Sequence, residues 1–307
     1  MSALDGHVAD YLRLRRALGF KLTEPGHVLP QFVAWLDAAG AETITVELAV
    51  AWARLSAGAQ PITLSHRLGA VRGFARYLHT IDPATEIPPE GIFGARQQRP
   101  APYLYSPNEI VRLLRAARQL RPPLRAATYE ALFGLLAASG MRVGEAISLA
   151  RDDVDFANGL VTIRRAKFDR DRLVPLHPSV TDALRGYATR RDRLCPTPRS
   201  DTFFLSSVDT ALNHNGVHAT FTALAGSAGL STATGSSPRI HDLRHSFAVN
   251  TLIDWQRDGV DIASRLPVLS TYLGHVNPAS TYWYVSAAPE LMHLAAARLD
   301  RRFGAQS

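Results

Sequence analysis

Residues 106–150 read SPNEIVRLLRAARQLRPPLRAATYEALFGLLAASGMRVGEAISLA, and residues 160–176 read LVTIRRAKFDRDRLVPL. The first stretch opens with a helix start. Ser106 suits an N-cap, Pro107 the first helical position, and Glu109 completes a capping box. Apolar positions at helical spacing continue through Leu120 and again from Leu124 to Ala138, until Ser139-Gly140 breaks the pattern before MRVGEAISL. The second stretch is β-like: LVTIRRA and RLVPL, joined by KFDRD, predict a hairpin. Helical periodicity returns over 179–193, 216–229, 241–253 and 289–301. This part of the chain is therefore mainly α with a small β-sheet, an α+β unit.

Upstream, residues 7–19, 29–40, 46–56 and 64–79 each carry apolar positions at helical spacing, with breaks at Gly19, Gly40 and Gly58. Four such helices predict a small helical bundle. The stretch 81–107 is rich in Pro and Gly, carries no periodic run and reads as an interdomain connection. The organisation expected is a helical domain over residues 1–95, a linker over 96–105 and a second domain over 106–307.

The 307 residues are 46% hydrophobic and 20% charged, a composition that folds. The longest strongly apolar stretch, Ala131 to Ala138, falls far short of the roughly 20 residues that span a bilayer. The N-terminus has acids near its start and no apolar segment of the secretory type, and Cys195 is the single cysteine. A reduced, cytoplasmic protein with no disulfide framework, no cysteine-based metal site and no membrane partner is expected. The net charge of +7 is unevenly placed: residues 1–95 hold 8 Lys and Arg against 9 Asp and Glu, the remainder 26 against 18. A basic second domain favours polyanions, nucleic acid first, although arginine loaded onto solvated surfaces gives the same excess. Only Lys21 and Lys167 are lysines. Arginine cannot release a proton near neutral pH whereas a lysine can, so a lysine kept in an arginine-dominated chain points either to proton transfer or to chance.

Four local patterns carry candidate chemistry. In SGMRVGEAISL, Arg142 follows a Gly-bearing turn at a helix start, where free N–H groups and a guanidinium fork suit a phosphate; taken in isolation, the motif better fits a surface arginine paired with Glu145. In RRAKFDRDRLVPL, Lys167 sits between two strands, flanked by Arg170 and Arg172, as a ligand-reaching side chain or an ordinary charged turn. In PRIHDLRHSFA, His241 and Arg244 share a helix face, which pairs a proton acceptor with a phosphate clamp. His245 lies four residues after His241, but the zinc-protease pattern needs Glu after the first His, and here stand Asp242 and Arg244; no metal is expected. In LGHVNPASTYWYVSAAPELM, Gly274-His275 ends a helix and Tyr284 follows nine residues later, within an aromatic group that also suits core packing.

Taken in order, Arg142, Lys167, His241, Arg244, His275 and Tyr284 resemble the tyrosine recombinases, or phage integrase family. Arg142 matches the family's box I arginine. Lys167 matches its hairpin lysine, placed by R-x-V-P-L at Arg172 to Leu176. His241 and Arg244 match H-x-x-R, His275 the LGH histidine, and Tyr284 the nucleophile. The resemblance covers about residues 100–307, and the N-terminal helices look like the family's SAM-like core-binding domain. Three departures stand out: Phe168 replaces the usual glycine after the lysine, the Arg244–His275 spacing is long enough to expect a short insertion around Trp255 to Leu266, and Tyr282 is a second candidate nucleophile.

The resemblance implies six catalytic residues, Arg142, Lys167, His241, Arg244, His275 and Tyr284, that cleave and rejoin DNA through a 3′-phosphotyrosine, with no cofactor and no metal. It implies double-stranded DNA as partner, clamped by the two domains, and a dimer on each site that pairs into a synaptic tetramer or a hetero-oligomer with related recombinases. Integration, excision, transposition or chromosome resolution would be the outcome. A type IB-like topoisomerase shares the chemistry, although the separate helical domain favours recombination. A DNA-binding relative without activity is disfavoured by the complete set of six. A zinc hydrolase using His241, His245 and His275 would need bound metal.

Overall fold

The computed structural model describes residues 3–56, 58–94, 102–166, 170–231, 238–275, 277 and 279–286. The chain divides into two units, Met1–Pro100 and Ala101–Ser307.

Four helices build the first unit: α1 (Ala3–Ala17), α2 (Thr23–Ala38), α3 (Val46–Arg54) and α4 (Pro61–Leu78). Thr45 caps α3 by accepting from the Leu48 amide at 3.2 Å. Leu29, Phe32, Val33 and Leu36 of α2 are buried against Trp52 of α3 and Leu68, Val71 and Phe74 of α4. Phe32 meets Trp52 edge-on, with ring centroids 5.0 Å apart. The Pro- and Gly-rich segment after α4 is less of a free connection than its composition predicts. The Glu86 amide donates to the Ile44 carbonyl at 2.8 Å, and Arg72 donates to the Pro88 and Pro89 carbonyls at 2.6 and 2.7 Å. The start of that segment thus belongs to the first unit. At its far end, the Tyr105 amide donates to Ser246 at 2.8 Å, inside the second unit.

The second unit runs α5 (Pro107–Arg118), α6 (Pro123–Ser139), α7 (Val143–Ile147), β1 (Val154–Asp155), β2 (Leu160–Ala166), β3 (Arg170–Pro175), α8 (Pro178–Leu194), α9 (His214–Ser227), α10 (Asp242–Arg257), α11 (Ile262–Leu273) and α12 (Ala279–Ser286). The capping box at Ser106 and Glu109 is formed with both of its hydrogen bonds. The three strands form one antiparallel sheet in sequence order, with Val161 opposite Val174 and Ile163 opposite Arg172. Helix α6 is the central rod: Leu132, Phe133, Leu135 and Leu136 are buried among Leu113 and Ala117 of α5, Leu184 and Tyr187 of α8, and Phe221 of α9. Each such side chain contributes about 1.5–3 kcal/mol when fully buried. A second, smaller core joins Val249, Leu252 and Ile253 of α10 to Leu266, Leu269 and Leu273 of α11 and to Tyr284 of α12.

That smaller core takes in the segment Trp255 to Leu266, where the sequence leads one to expect a short insertion. The segment is the end of α10, a turn in which Val260 donates to the Trp255 carbonyl, and the start of α11, capped by Asp261. It is structural, because it delivers the apolar face of α11. The helical pattern over 289–301 lies outside the described residues. Among the described residues no helix is long and apolar enough to cross a membrane.

Candidate active site

Two left-handed glycines set the site. Gly140 ends α6 at φ 61°, and Gly274 ends α11 at φ 68°. Such a residue closes a helix with little strain only when it lacks a Cβ. The last carbonyls of a helix have no partner within it and carry its negative dipole end. Here three arginines supply that need for α11: Arg172 Nε donates to the Tyr272 carbonyl at 3.2 Å, Arg244 Nη2 to Leu273 at 2.7 Å, and Arg142 Nη2 to Gly274 at 3.0 Å. Arg244 Nη1 also donates to the Gly140 carbonyl at 2.7 Å. One helix end therefore gathers three guanidiniums from α10, β3 and the start of α7.

Glu145 is the carboxylate among them. Its oxygens accept from Arg142 Nη1 at 2.7 Å, from the Arg142 amide at 2.9 Å and from both terminal nitrogens of Arg172 at 2.9 and 3.0 Å. Burial opposes its charge, but these hydrogen bonds and the two guanidiniums hold its carboxyl down at about 2. Arg142 thus makes the ion pair with Glu145 that its spacing suggested, and stands in a cluster with excess positive charge. Its helix, α7, has only five residues, so the guanidinium rather than a helix dipole supplies the field.

Arg244 is almost wholly buried, at 2% exposure. Burial, then the Arg142 charge, push it down to about 10, with the Tyr284 phenol beside it partly offsetting. It stays cationic at neutral pH. His275 follows the Gly274 turn. Its Nδ1 is 2.7 Å from the Thr281 hydroxyl, and burial together with Arg244, Arg142 and Arg172 pushes it down to about 4. His241, at the start of α10, is lowered mainly by burial and then by Arg244. Its ring stands perpendicular to that of His245, with centroids 4.7 Å apart.

The two candidate tyrosines on α12 separate cleanly. Tyr284 is buried and packs against His275 (5.9 Å between centroids) and His245 (5.4 Å). Tyr282 is 57% exposed. Arg142, His241, Arg244, His275 and Tyr284, spread over 143 positions of sequence, thus meet around one centre. The sixth residue, Lys167, lies outside the described residues.

Residues 104–290 match the phage integrase family. This chain belongs to that family. Over 310 residues it is 47% identical to "Putative integrase/recombinase y4rB" of Sinorhizobium fredii, covering 99% of both chains. It is 30% identical over 248 residues to tyrosine recombinase XerD of Brucella abortus, covering 77% of this chain and 75% of that one. In fold it resembles the Tn1549 transposon integrase solved with transposon right end DNA, at a TM-score of 0.66 and 15% identity, covering 96% of this chain and 98% of that one.

Three neighbours of the centre were not legible in these roles: Glu145 as a bridge to Arg172, Thr281 as the partner of His275, and Arg172, read as a flank of the hairpin lysine and as the start of R-x-V-P-L. Arg172 had a signal. On β3, Val174 is buried and Leu173 is 60% exposed, so strand alternation puts an arginine, not an apolar residue, on the inward face at 172. An inverted position of that kind marks an arginine with an interior partner.

Proposed function

We propose that this member of the phage integrase family is a site-specific tyrosine recombinase that cleaves and rejoins double-stranded DNA through a 3′-phosphotyrosine. The observation that carries the reading is the burial of Tyr284 between His275 and His245, beside Arg244. A phosphodiester entering there would set its non-bridging oxygens against Arg142 and Arg244, whose forks match developing negative charge. His275, neutral, with Nδ1 taken by Thr281, would donate through Nε2 to the same oxygens. The Tyr284 oxygen attacks phosphorus, its proton passes to neutral His241, and the bond to the 5′ oxygen breaks. Lys167 protonates that oxygen as it leaves. The energy of the broken bond is kept in the phosphotyrosine, and attack by a 5′ hydroxyl reverses each step, so no cofactor is consumed.

Residues 1–95 would act as the core-binding domain and residues 106–307 as the catalytic domain, joined through 96–105. The Tn1549 integrase was solved on transposon DNA, which supports transposition or integration as the outcome here. On its sites the protein would bind as a dimer and pair into a synaptic tetramer.

The test is covalent capture. Wild type is incubated with a randomised duplex pool, and captured duplexes are rebuilt with a nick that lets the cleaved end diffuse away. Protein–DNA adduct is expected from wild type and Tyr282→Phe and none from Tyr284→Phe. Adduct persisting in Tyr284→Phe, or none from wild type, defeats the reading. Supercoil relaxation without exchange between two captured sites would favour the topoisomerase alternative.

A further inference from the structure

We infer that Arg172 is a positioning residue for the phosphate clamp: by occupying Glu145 it keeps the Arg142 fork open toward the DNA. The inference rests on the strand-transfer reading above. Arg172 is 14% exposed, and its guanidinium uses three directions at once. Both terminal nitrogens engage the two oxygens of Glu145, at 2.9 and 3.0 Å, while Nε holds the Tyr272 carbonyl at 3.2 Å. The backbone of the LGH turn passes directly over it: a Cβ on Gly274 would lie 2.6 Å from Arg172 Nη1.

The consequence falls on Arg142. A lone carboxylate beside an arginine takes it in a two-point, fork-to-fork pair. Were Glu145 free to do so, it would draw the Arg142 fork inward and neutralise it. With Arg172 seated across its two oxygens, Glu145 holds the Arg142 guanidinium through Nη1 alone, while Nη2 reaches the Gly274 carbonyl. Of the five N–H groups of Arg142, three remain for a phosphate. The cluster then carries two guanidinium charges on one carboxylate, so it keeps a net positive charge where a phosphodiester would bring negative charge. Lysine cannot substitute, because a point charge neither spans both carboxylate oxygens nor reaches a carbonyl in a third direction.

Arg172→Lys isolates that geometry, and adding Glu145→Gln, nearly isosteric, removes the carboxylate that would then capture the Arg142 fork. The single and double variants are compared with wild type in single-turnover cleavage of a nicked duplex that wild type captures, made with an ordinary scissile phosphodiester and with a methylphosphonate there. The methyl group removes the charge that Arg142 would offset. Arg172→Lys is expected to cleave the phosphodiester about 10- to 100-fold more slowly, the scale of a misplaced catalytic group. DNA affinity should stay within about threefold, and the deficit on the methylphosphonate should fall below about threefold. The double variant should regain phosphodiester cleavage to within about tenfold of wild type, and a double variant no faster than Arg172→Lys overturns the role of Arg172, which keeps the inference testable if the single variant melts early. An equal deficit on both substrates, or wild-type cleavage of the phosphodiester, overturns the role of Arg172 and leaves the strand-transfer reading standing. Failure of wild type to capture any duplex overturns that reading, and this inference with it.

Discussion

The ring of Tyr284 lies nearly parallel to the imidazole of His275, with centroids 5.9 Å apart and planes 23° apart. The imidazole is itself anchored, because Nδ1 meets the Thr281 hydroxyl at 2.7 Å. Thr281 and Tyr284 lie three apart on α12, so one helical turn carries both the tyrosine and the residue that orients its neighbour. Replacing His275 with alanine is expected to slow covalent adduct formation by about 10²–10³-fold, the scale of losing one transition-state donor. Thr281→Val keeps the imidazole but frees its orientation, and about a tenfold loss is expected. Single-turnover cleavage measures both; a Thr281→Val rate equal to wild type would separate the hydroxyl from the chemistry.

Histidines in this cluster make stability fall with acid. His245 is pushed down to about 4 by burial and then by His241, His275 to about 4 by burial and then by the arginines, and His241 is lowered as well. An unfolded chain takes up those protons near pH 6.5. Above that value both states hold neutral imidazoles and the stabilisation is complete. As pH falls from about 6.5 toward 4, the unfolded state binds protons that the folded state refuses, and stability is lost. Glu145, held at about 2, adds a separate loss that begins only below about pH 4.5. Melting temperature is expected to be level from pH 8 to 7 and to drop through pH 5. His245→Asn should flatten that drop, and an unchanged slope would show that its imidazole stays accessible to protons when folded.

Arg244 should matter twice. Its guanidinium satisfies the Gly140 and Leu273 carbonyls from a site with 2% exposure. Arg244→Met leaves two carbonyls without donors, at a cost of about 1–3 kcal/mol each. The variant is expected to melt earlier and to form no adduct. Tyr284→Phe removes only a hydroxyl and should fail in chemistry while melting close to wild type. Thermal denaturation of the two side by side checks this; an Arg244→Met protein as stable as wild type would mean that water replaces the guanidinium.

Much of this was legible in the sequence where local signals are strong. The capping box at Ser106, the helical period of α6 and the hairpin around LVTIRRA and RLVPL each write their structure into neighbouring residues. Five site residues were legible as motifs, because glycine turns and short spacings flank them. Of helix α11 only the end at Gly274 was, since Pro267 interrupts its pattern and its apolar face makes sense only against α10 and α12. Nor was the bond between Arg172 and Glu145, 27 positions apart, because an ion pair between strand and helix leaves no periodic trace.

The glycine turns invite the sharpest stability test, since three glycines of the second unit differ in backbone conformation and in surroundings. Gly134 lies inside α6 with ordinary backbone, and a Cβ there would meet nothing within 4 Å. Alanine should stabilise it by about 0.5–1 kcal/mol through helix propensity. At Gly140 the left-handed φ of 61° combines with a Cβ that would fall 2.5 Å from the Phe247 ring, whose own side stacks on Tyr272. At Gly274, φ is 68° and the obstacle is the Arg172 guanidinium at 2.6 Å. Each of these two alanine variants should lose about 1–3 kcal/mol from backbone strain, before any cost of displacing the neighbour. Gly274→Ala should in addition slow cleavage, because the residue it displaces holds Glu145. Chemical denaturation of the three variants reads the order directly. If Gly140→Ala proved as stable as Gly134→Ala, the left-handed turn would no longer account for how the Gly140 carbonyl comes to face Arg244.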